Sequence, residues 1–291
     1  MPASPRFAAE PSPVPSRAGA SFKGEHAEAV FGEAPDIGWF EVHPENYMVA
    51  GGPRLATLEA LRGAWPLSLH GVGLSLGGAE RLDRDHLAAL GALAERFEPG
   101  LVSEHIAWSA HGGVWFADLL PPSLSAAGLD LLCDNVDEMQ EALGRAVLIE
   151  NPASYLVLPD REMDELSFVV EAARRTGCGL LVDLNNIHVS AVNTGLDAES
   201  YVDAIPGTLV GEIHLAGFGV DDADGERLLI DSHGAPVDGA VWRLYDRLIG
   251  RIGARPTLVE WDKDIPAWEV LFAEAKKADL ALARLPEPVP A

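Results

Sequence analysis

The sequence predicts a (β/α)₈ TIM barrel of the α/β class, a closed ring of eight parallel strands each followed by a helix. Three observations carry this. Short apolar segments alternate with longer stretches of helical periodicity, the pattern of repeated strand–helix units on a parallel sheet. The strand-like segments number eight, which suits a closed barrel better than an open doubly wound sheet. The chain has 291 residues and is 48% hydrophobic, and one such barrel needs about 250 residues.

Taken in order, the strands are expected at residues 18–23, 37–43, 66–70, 101–106, 146–151, 179–184, 209–215 and 256–261. Runs such as Val147-Leu148-Ile149 are apolar throughout, as strands covered on both faces should be. Helices fit between them at 25–33, 54–63, 83–96, 125–143, 163–175, 198–204 and 240–252, with a last one at 267–282. Residues 109–120 read as a small hairpin around His111-Gly112-Gly113, and 216–239 as a polar loop rich in Gly and Asp. The domain is expected at 18–284, after a disordered lead at 1–17 and before a short tail at 285–291. Five prolines and no apolar core in residues 1–16 argue against an export signal.

Composition excludes several functions. With 45 acidic against 21 basic residues the net charge is −24, which repels nucleic acid and anionic membrane surfaces. No run approaches the roughly 18 apolar residues of a membrane span. Cys133 and Cys178 form no paired motif, so they read as buried fillers in a reducing, cytoplasmic setting. Gly71, Gly73, Gly77 and Gly78 do not have dinucleotide-binding spacing, and no phosphate-binding loop is present.

The polar residues then fall in one place. His70 ends the third strand, Glu104 and His105 the fourth, Glu150 and Asn151 the fifth, and Asp183 the sixth, with Asn185, Asn186 and His188 in the loop that follows. His214 ends the seventh strand, Asp231 and His233 lie in its loop, and Glu260 ends the eighth with Asp262 beyond. In a closed barrel these ends ring one mouth, where active sites sit. A single histidine at a strand end is more often a hydrogen-bonded rim residue. Five histidines and four carboxylates together repel and desolvate one another unless cations join them, and no Lys or Arg directly follows these strand ends before Lys263. Nine nitrogen and oxygen ligands exceed the needs of one ion. The absence of thiolates favours iron, manganese or zinc, and the residues alone do not choose among them. His26, His86 and His111 read as solvated, and His43 as a rim residue. Glu45 and Asn46, with Asn151 and Asn186, read as partners of the ligands or of the substrate.

The strings GWFEVHPENY (38–47), SLHG (68–71), SEH (103–105), IENP (149–152), DLNNIH (183–188), EIHLAG (212–217), DSHG (231–234) and VEWD (259–262) resemble the DUF692 family. This family is also called UPF0276, or the multinuclear non-haem iron-dependent oxidases. The resemblance runs from about residue 19 to 280, and eight strings in order are far more specific than any one. It implies a TIM barrel with two or three iron ions that uses molecular oxygen to modify cysteines of a ribosomally made precursor peptide. Relatives such as the methanobactin-biosynthesis oxidase make oxazolone and thioamide or thiooxazole groups, some of them copper-binding, with a small partner protein that recruits the leader. Carried over, the ligands are His70, His105, Glu150, Asp183, His188, His214, Asp231, His233 and Glu260. Asp262 is the candidate general base, with Glu104 or Asn151 to orient it or the substrate. GASFK (19–23) stands where relatives tend to carry Gly-x-Gly-Leu-Arg, which puts substrate contacts in question. On residues alone, a divalent-metal hydrolase or sugar isomerase on the same barrel is the alternative.

Overall fold

The computed structural model describes residues 13–159, 161–222 and 227–286. Most of the expected lead, and residues 287–291 of the tail, lie outside the described residues. In chain order the elements are β1 (Ala18–Ser21), α1 (Ala27–Glu33), β2 (Trp39–Val42), α2 (Pro53–Ala64), β3 (Leu67–Gly71), α3 (Arg84–Phe97), β4 (Leu101–His105), β5 (Trp108–His111), β6 (Val114–Leu120), α4 (Ala126–Leu143), β7 (Leu148–Glu150) and α5 (Glu165–Thr176). Then come β8 (Gly179–Asp183), α6 (Leu184–Thr194), α7 (Ala198–Ala204), β9 (Val210–Leu215), β10 (Gly219–Asp221), β11 (Leu228–Ile230), α8 (Gly239–Ile252), β12 (Thr257–Val259) and α9 (Trp268–Leu282).

Eight strands close in the order β1-β12-β9-β8-β7-β4-β3-β2, every pair parallel. The eight expected strands are these eight, most of them a residue or more shorter than expected. The hairpin appears as β5–β6 and stands outside the ring. The long loop after β9 carries its own antiparallel pair, β10–β11.

One helix was not expected. The residues after Asp183 form helix α6 rather than a loop. Asp183 ends β8 and caps α6 at once, its Oδ1 accepting a hydrogen bond from the Asn186 amide at 2.6 Å. An aspartate cap satisfies an otherwise orphaned amide of the first turn. The apolar run of β8 and the two asparagines hid that switch.

The floor of the barrel is apolar. Val14, Trp39, Leu101, Leu148, Leu181 and Leu258 form one buried cluster there. The packed chain therefore begins ahead of residue 18, since Val14 is part of the plug. Gly19 lies against the Trp39 ring, where any Cβ would come within 2.4 Å of the indole. Around the ring, a continuous core of Leu, Val and Ile joins strands to helices. Among the described residues, no helix is long and apolar enough to cross a membrane.

Candidate metal centre at the barrel mouth

Strand geometry builds the site. Alternate side chains of a strand face the same side, so a floor residue and a mouth residue on one strand stand two or four apart. Leu148 precedes Glu150, Leu181 precedes Asp183, and Leu258 precedes Glu260. Leu101 leads through Ser103 to His105, and Trp39 through Glu41 to His43. Register then sets neighbours side by side, His105 beside Glu150 and Asp183 beside His214.

Among the described residues, four sets of three side chains each bring ligand atoms within 4.8 Å of one another: His70–Glu150–His214, Glu41–His214–Glu260, His43–Glu260–Asp262 and Asp183–His233–Glu260. They overlap at His214 and Glu260, so they form one cluster. Glu150 Oε2 lies 3.1 Å from His70 Nε2 and 3.0 Å from His105 Nδ1. Glu260 Oε2 lies 3.2 Å from His214 Nδ1 and 3.4 Å from His233 Nδ1. His233 Nε2 lies 2.8 Å from Asp231 Oδ1, which Asn185 Nδ2 holds at 2.7 Å. Above the cluster opens a cavity of about 490 Å³, walled by Lys23, His43, Asp118, Tyr155, Asn186 and Asp262 among others.

The directions of these contacts matter more than their lengths. Glu150 Oε2, Asp183 Oδ2, Asn186 Oδ1, both His214 nitrogens and His233 Nε2 are buried, and none makes a hydrogen bond. Several are nonetheless within 3.2 Å of a polar neighbour. Each unsatisfied buried group costs about 1–3 kcal/mol. Nitrogen and oxygen atoms that crowd together off the hydrogen-bond axis suit lone pairs aimed at shared cations, so the residues fit a metal centre of more than one ion.

Electrostatics agree. Burial pushes the Glu150 carboxyl up, but His105 and His70 beside it bring it below the ordinary range. Glu260 goes the same way, burial being outweighed by His233 and His214. At Asp183 the balance reverses: burial with the charges of Glu150 and Asp231 outweighs His233 and His214 and drives it up. Burial lowers His105, yet the Glu150 charge lifts it to about 9. Imidazolium protons thus balance the carboxylates wherever a cation does not.

The structure brings together His70, His105, Glu150, Asp183, His214, Asp231, His233 and Glu260. It does not bring His188. That residue lies on α6 against Phe218, ring centroids 5.3 Å apart, and joins none of the four sets. Asn186, in the first turn of the same helix, reaches the cluster instead, donating from Nδ2 to Glu150 Oε1 at 3.2 Å. Asn151 secures the corner, its side-chain amide exchanging hydrogen bonds with the Asp183 backbone. Glu104 faces away from the ring. Its oxygens accept from the Leu74 and His105 amides, and it fills the space over Gly71. Burial and the Glu45 charge raise it to about 8, and it anchors a loop rather than orienting a base. Asp262 reaches the mouth but is engaged by Lys23 and His233, and although burial and Glu260 raise its carboxyl, His233 and His43 bring it below the ordinary range. Such a carboxylate is a weak base.

Lys23 corrects the expectation that no protein cation serves these carboxylates. His26 and His86, expected to be solvated, are buried and partly buried: His26 Nε2 meets the Pro266 carbonyl, and His86 faces Glu45, whose Oε1 accepts from the Val72 amide. Asn46 lines the cavity. Two cluster residues escaped sequence reasoning, Glu41 and Glu212. Each stands two residues before a histidine on an inward face, and that spacing was the available signal.

A family model for the RiPP precursor modification enzymes MbnB/TglH/ChrH matches residues 17–283. The chain belongs to this family. Within it, a UPF0276 protein of Caulobacter sp. (strain K31) is 57% identical over 90% of this chain and 94% of its own length. A UPF0276 protein of Bordetella bronchiseptica is 48% identical over 96% of this chain and 98% of its own. Among solved structures, endonuclease IV from Thermus thermophilus aligns with a TM-score of 0.59 at 17% identity, over 92% of this chain and 98% of that one. D-psicose 3-epimerase from Clostridium cellulolyticum gives 0.57 at 9%, over 91% and 97%. At such identities the likeness is one of fold, the TIM barrel. Membership of the MbnB/TglH/ChrH family makes the chain a peptide-modifying enzyme, and a precursor peptide its substrate.

Proposed function

We propose that the chain is an iron-dependent, oxygen-consuming oxidase that modifies a cysteine of a ribosomally made precursor peptide in the cytoplasm, with two or three iron ions at the barrel mouth and a small partner protein that delivers the precursor's leader. The observation that carries this reading is the cluster itself: buried imidazoles and carboxylates, off their hydrogen-bond axes, beneath an open cavity in a peptide-modifying enzyme. His70, His105, Glu150, Asp183, His214, Asp231, His233 and Glu260 would hold the metal, with Asn186 beside them. Bound iron would supply the redox chemistry and a thiolate-binding position.

The chain's own residues do the rest. Tyr155 and Asp118 wall the cavity and shape what enters. Lys23 and His43 hold Asp262 at the rim, and His233 with His43 keeps its carboxylate ionised against burial and Glu260. The Asp231 backbone is fixed by its amide donating to the Tyr155 hydroxyl at 3.2 Å. The floor plug keeps bulk water from the opposite end.

Anaerobically purified protein, analysed for metal and by Mössbauer spectroscopy, tests the reading. Iron above one equivalent, a charge-transfer band on adding a small thiol, and oxygen uptake with a cysteine-containing precursor are the expected results. Zinc or manganese without oxygen uptake would favour a hydrolase or sugar isomerase. His233→Ala should lose iron and turnover together; a variant with both unchanged removes His233 from the ligand set.

A further inference from the structure

We propose that Glu41 is a positioning residue for the metal centre, holding His214 with Nδ1 toward Glu260 and Nε2–H toward the barrel interior. The inference rests on the reading of the mouth as a metal centre.

His214 has no exposed surface. Its Nδ1 faces Glu260 Oε2 at 3.2 Å, and Glu260 also meets His233 and Asp183 in one of the four sets. Its Nε2 faces the other way, 3.2 Å from Glu41 Oε1 and 3.5 Å from Glu212 Oε1. An imidazole that ligates through one nitrogen carries its proton on the other, and that proton needs an acceptor. Glu41 and Glu212 flank Nε2 on the floor side and are the acceptors within its reach, although neither lies on the N–H axis in this geometry, so a small turn of the ring is needed to complete the bond. The opposite tautomer would set the Nε2 lone pair against two carboxylate oxygens.

Glu41 is itself held. Its Oε2 accepts from the Ser68 hydroxyl at 2.8 Å, and Ser68 is fully buried. Glu212 stands two residues before His214 on the same strand face, wholly buried, with neither oxygen in a hydrogen bond. The neighbouring His70 shows the same construction in simpler form. Its Nδ1 meets the Ser103 hydroxyl at 2.8 Å, which leaves Nε2 for Glu150. Two histidines of the ring are thus gripped from the floor side by the inward residues one layer down.

Anaerobic titration with ferrous iron, read by bound metal and Mössbauer spectra, tests this on wild type, Glu41→Ala, Glu41→Gln and Ser68→Ala. In Glu41→Ala one iron should bind roughly 10–100-fold more weakly, with its quadrupole doublet altered and full stoichiometry at saturation. Glu41→Gln keeps an acceptor oxygen and should fall between alanine and wild type. Ser68→Ala leaves the carboxylate and should weaken the same iron less. Metal-free unfolding midpoints should stay close to wild type, which separates positioning from a loss of fold. If Glu41→Ala does not fold, Glu41→Gln and Ser68→Ala carry the same reading. Unchanged affinity and spectra in the variants would overturn the proposal. So would loss of a whole iron equivalent in both Glu41 variants, which would make Glu41 a direct ligand. Wild type that binds no iron would overturn the metal-centre reading beneath it.

Discussion

The two ends of the barrel are built from the same strands and obey opposite rules. At the floor, Trp39, Leu101, Leu148, Leu181 and Leu258 pack with Val14 and leave no side-chain polar atom to satisfy except the Trp39 indole, which donates to the Arg17 carbonyl at 3.1 Å. Two residues further along, Glu41, Glu150, Asp183 and Glu260 are as deeply buried, yet several of their oxygens and neighbouring nitrogens go without a hydrogen bond. The floor is optimised for the folded chain alone. The mouth is a store of unsatisfied groups that the floor and the helical shell hold in place. Stability and chemistry are separated along the strand axis by a single pleat.

Breaking the floor should have the largest effect. Trp39→Ala removes the centre of the plug and should cost about 3–5 kcal/mol in urea unfolding, while the folded fraction keeps its metal stoichiometry. Metal loss in parallel with stability would show that the two ends are not independent.

A buried carboxyl away from the ring sharpens the comparison. Glu165 accepts from Tyr201 and Ser154, and burial raises it to about 7. Glu150 is equally buried but lies below the ordinary range because two imidazoles face it. The Glu165 carboxyl has a raised folded pKa. Its protonated form supports folding below about pH 4.5, the ordinary value, and that support is lost as pH rises through about 7. Glu165→Gln removes this dependence. At pH 8 the variant should be about 1–2 kcal/mol more stable than wild type, allowing for one acceptor lost to the two hydroxyls, with no gain at pH 4. Parallel pH profiles for the two proteins would remove Glu165 as the source.

The smallest effect should come from His188→Ala. The partly buried ring packs against Phe218 outside the cluster, so the variant should keep its full metal content and lose no more than about 1 kcal/mol. A missing metal equivalent would return His188 to the ligand set.

Much of this was legible beforehand. The strand count and the ring of polar strand ends follow from alternating periodicity, because parallel strands buried on both faces read as apolar runs. Where sequence and structure part, one cause is shared: sequence places a residue at a strand end but not on a face. Glu104 and His105 are adjacent, so only one of them can point inward. His188 and Asn186 were assigned to a loop, and once Asp183 caps a helix the 3.6-residue turn decides which of them reaches the cluster. Glu41 and Glu212 were hidden a layer below, where an inward carboxylate is indistinguishable from an outward one without register. Lys23 escaped because it follows β1, which comes beside Asp262 only when the ring closes on β12.

That closure has a thermodynamic consequence. The cluster draws on β2 at one end of the chain and the residues after β12 at the other, from Glu41 to Asp262. An open chain offers no such assembly, so ions that bind it select the closed ring over every unfolded form. Each tenfold rise in free ion above its dissociation constant should then add about 1.4 kcal/mol to the resistance of the chain to unfolding. If ions fill the cluster as proposed, the melting temperature should gauge the metal supply, and a chelator should destabilise the protein without touching a hydrophobic contact.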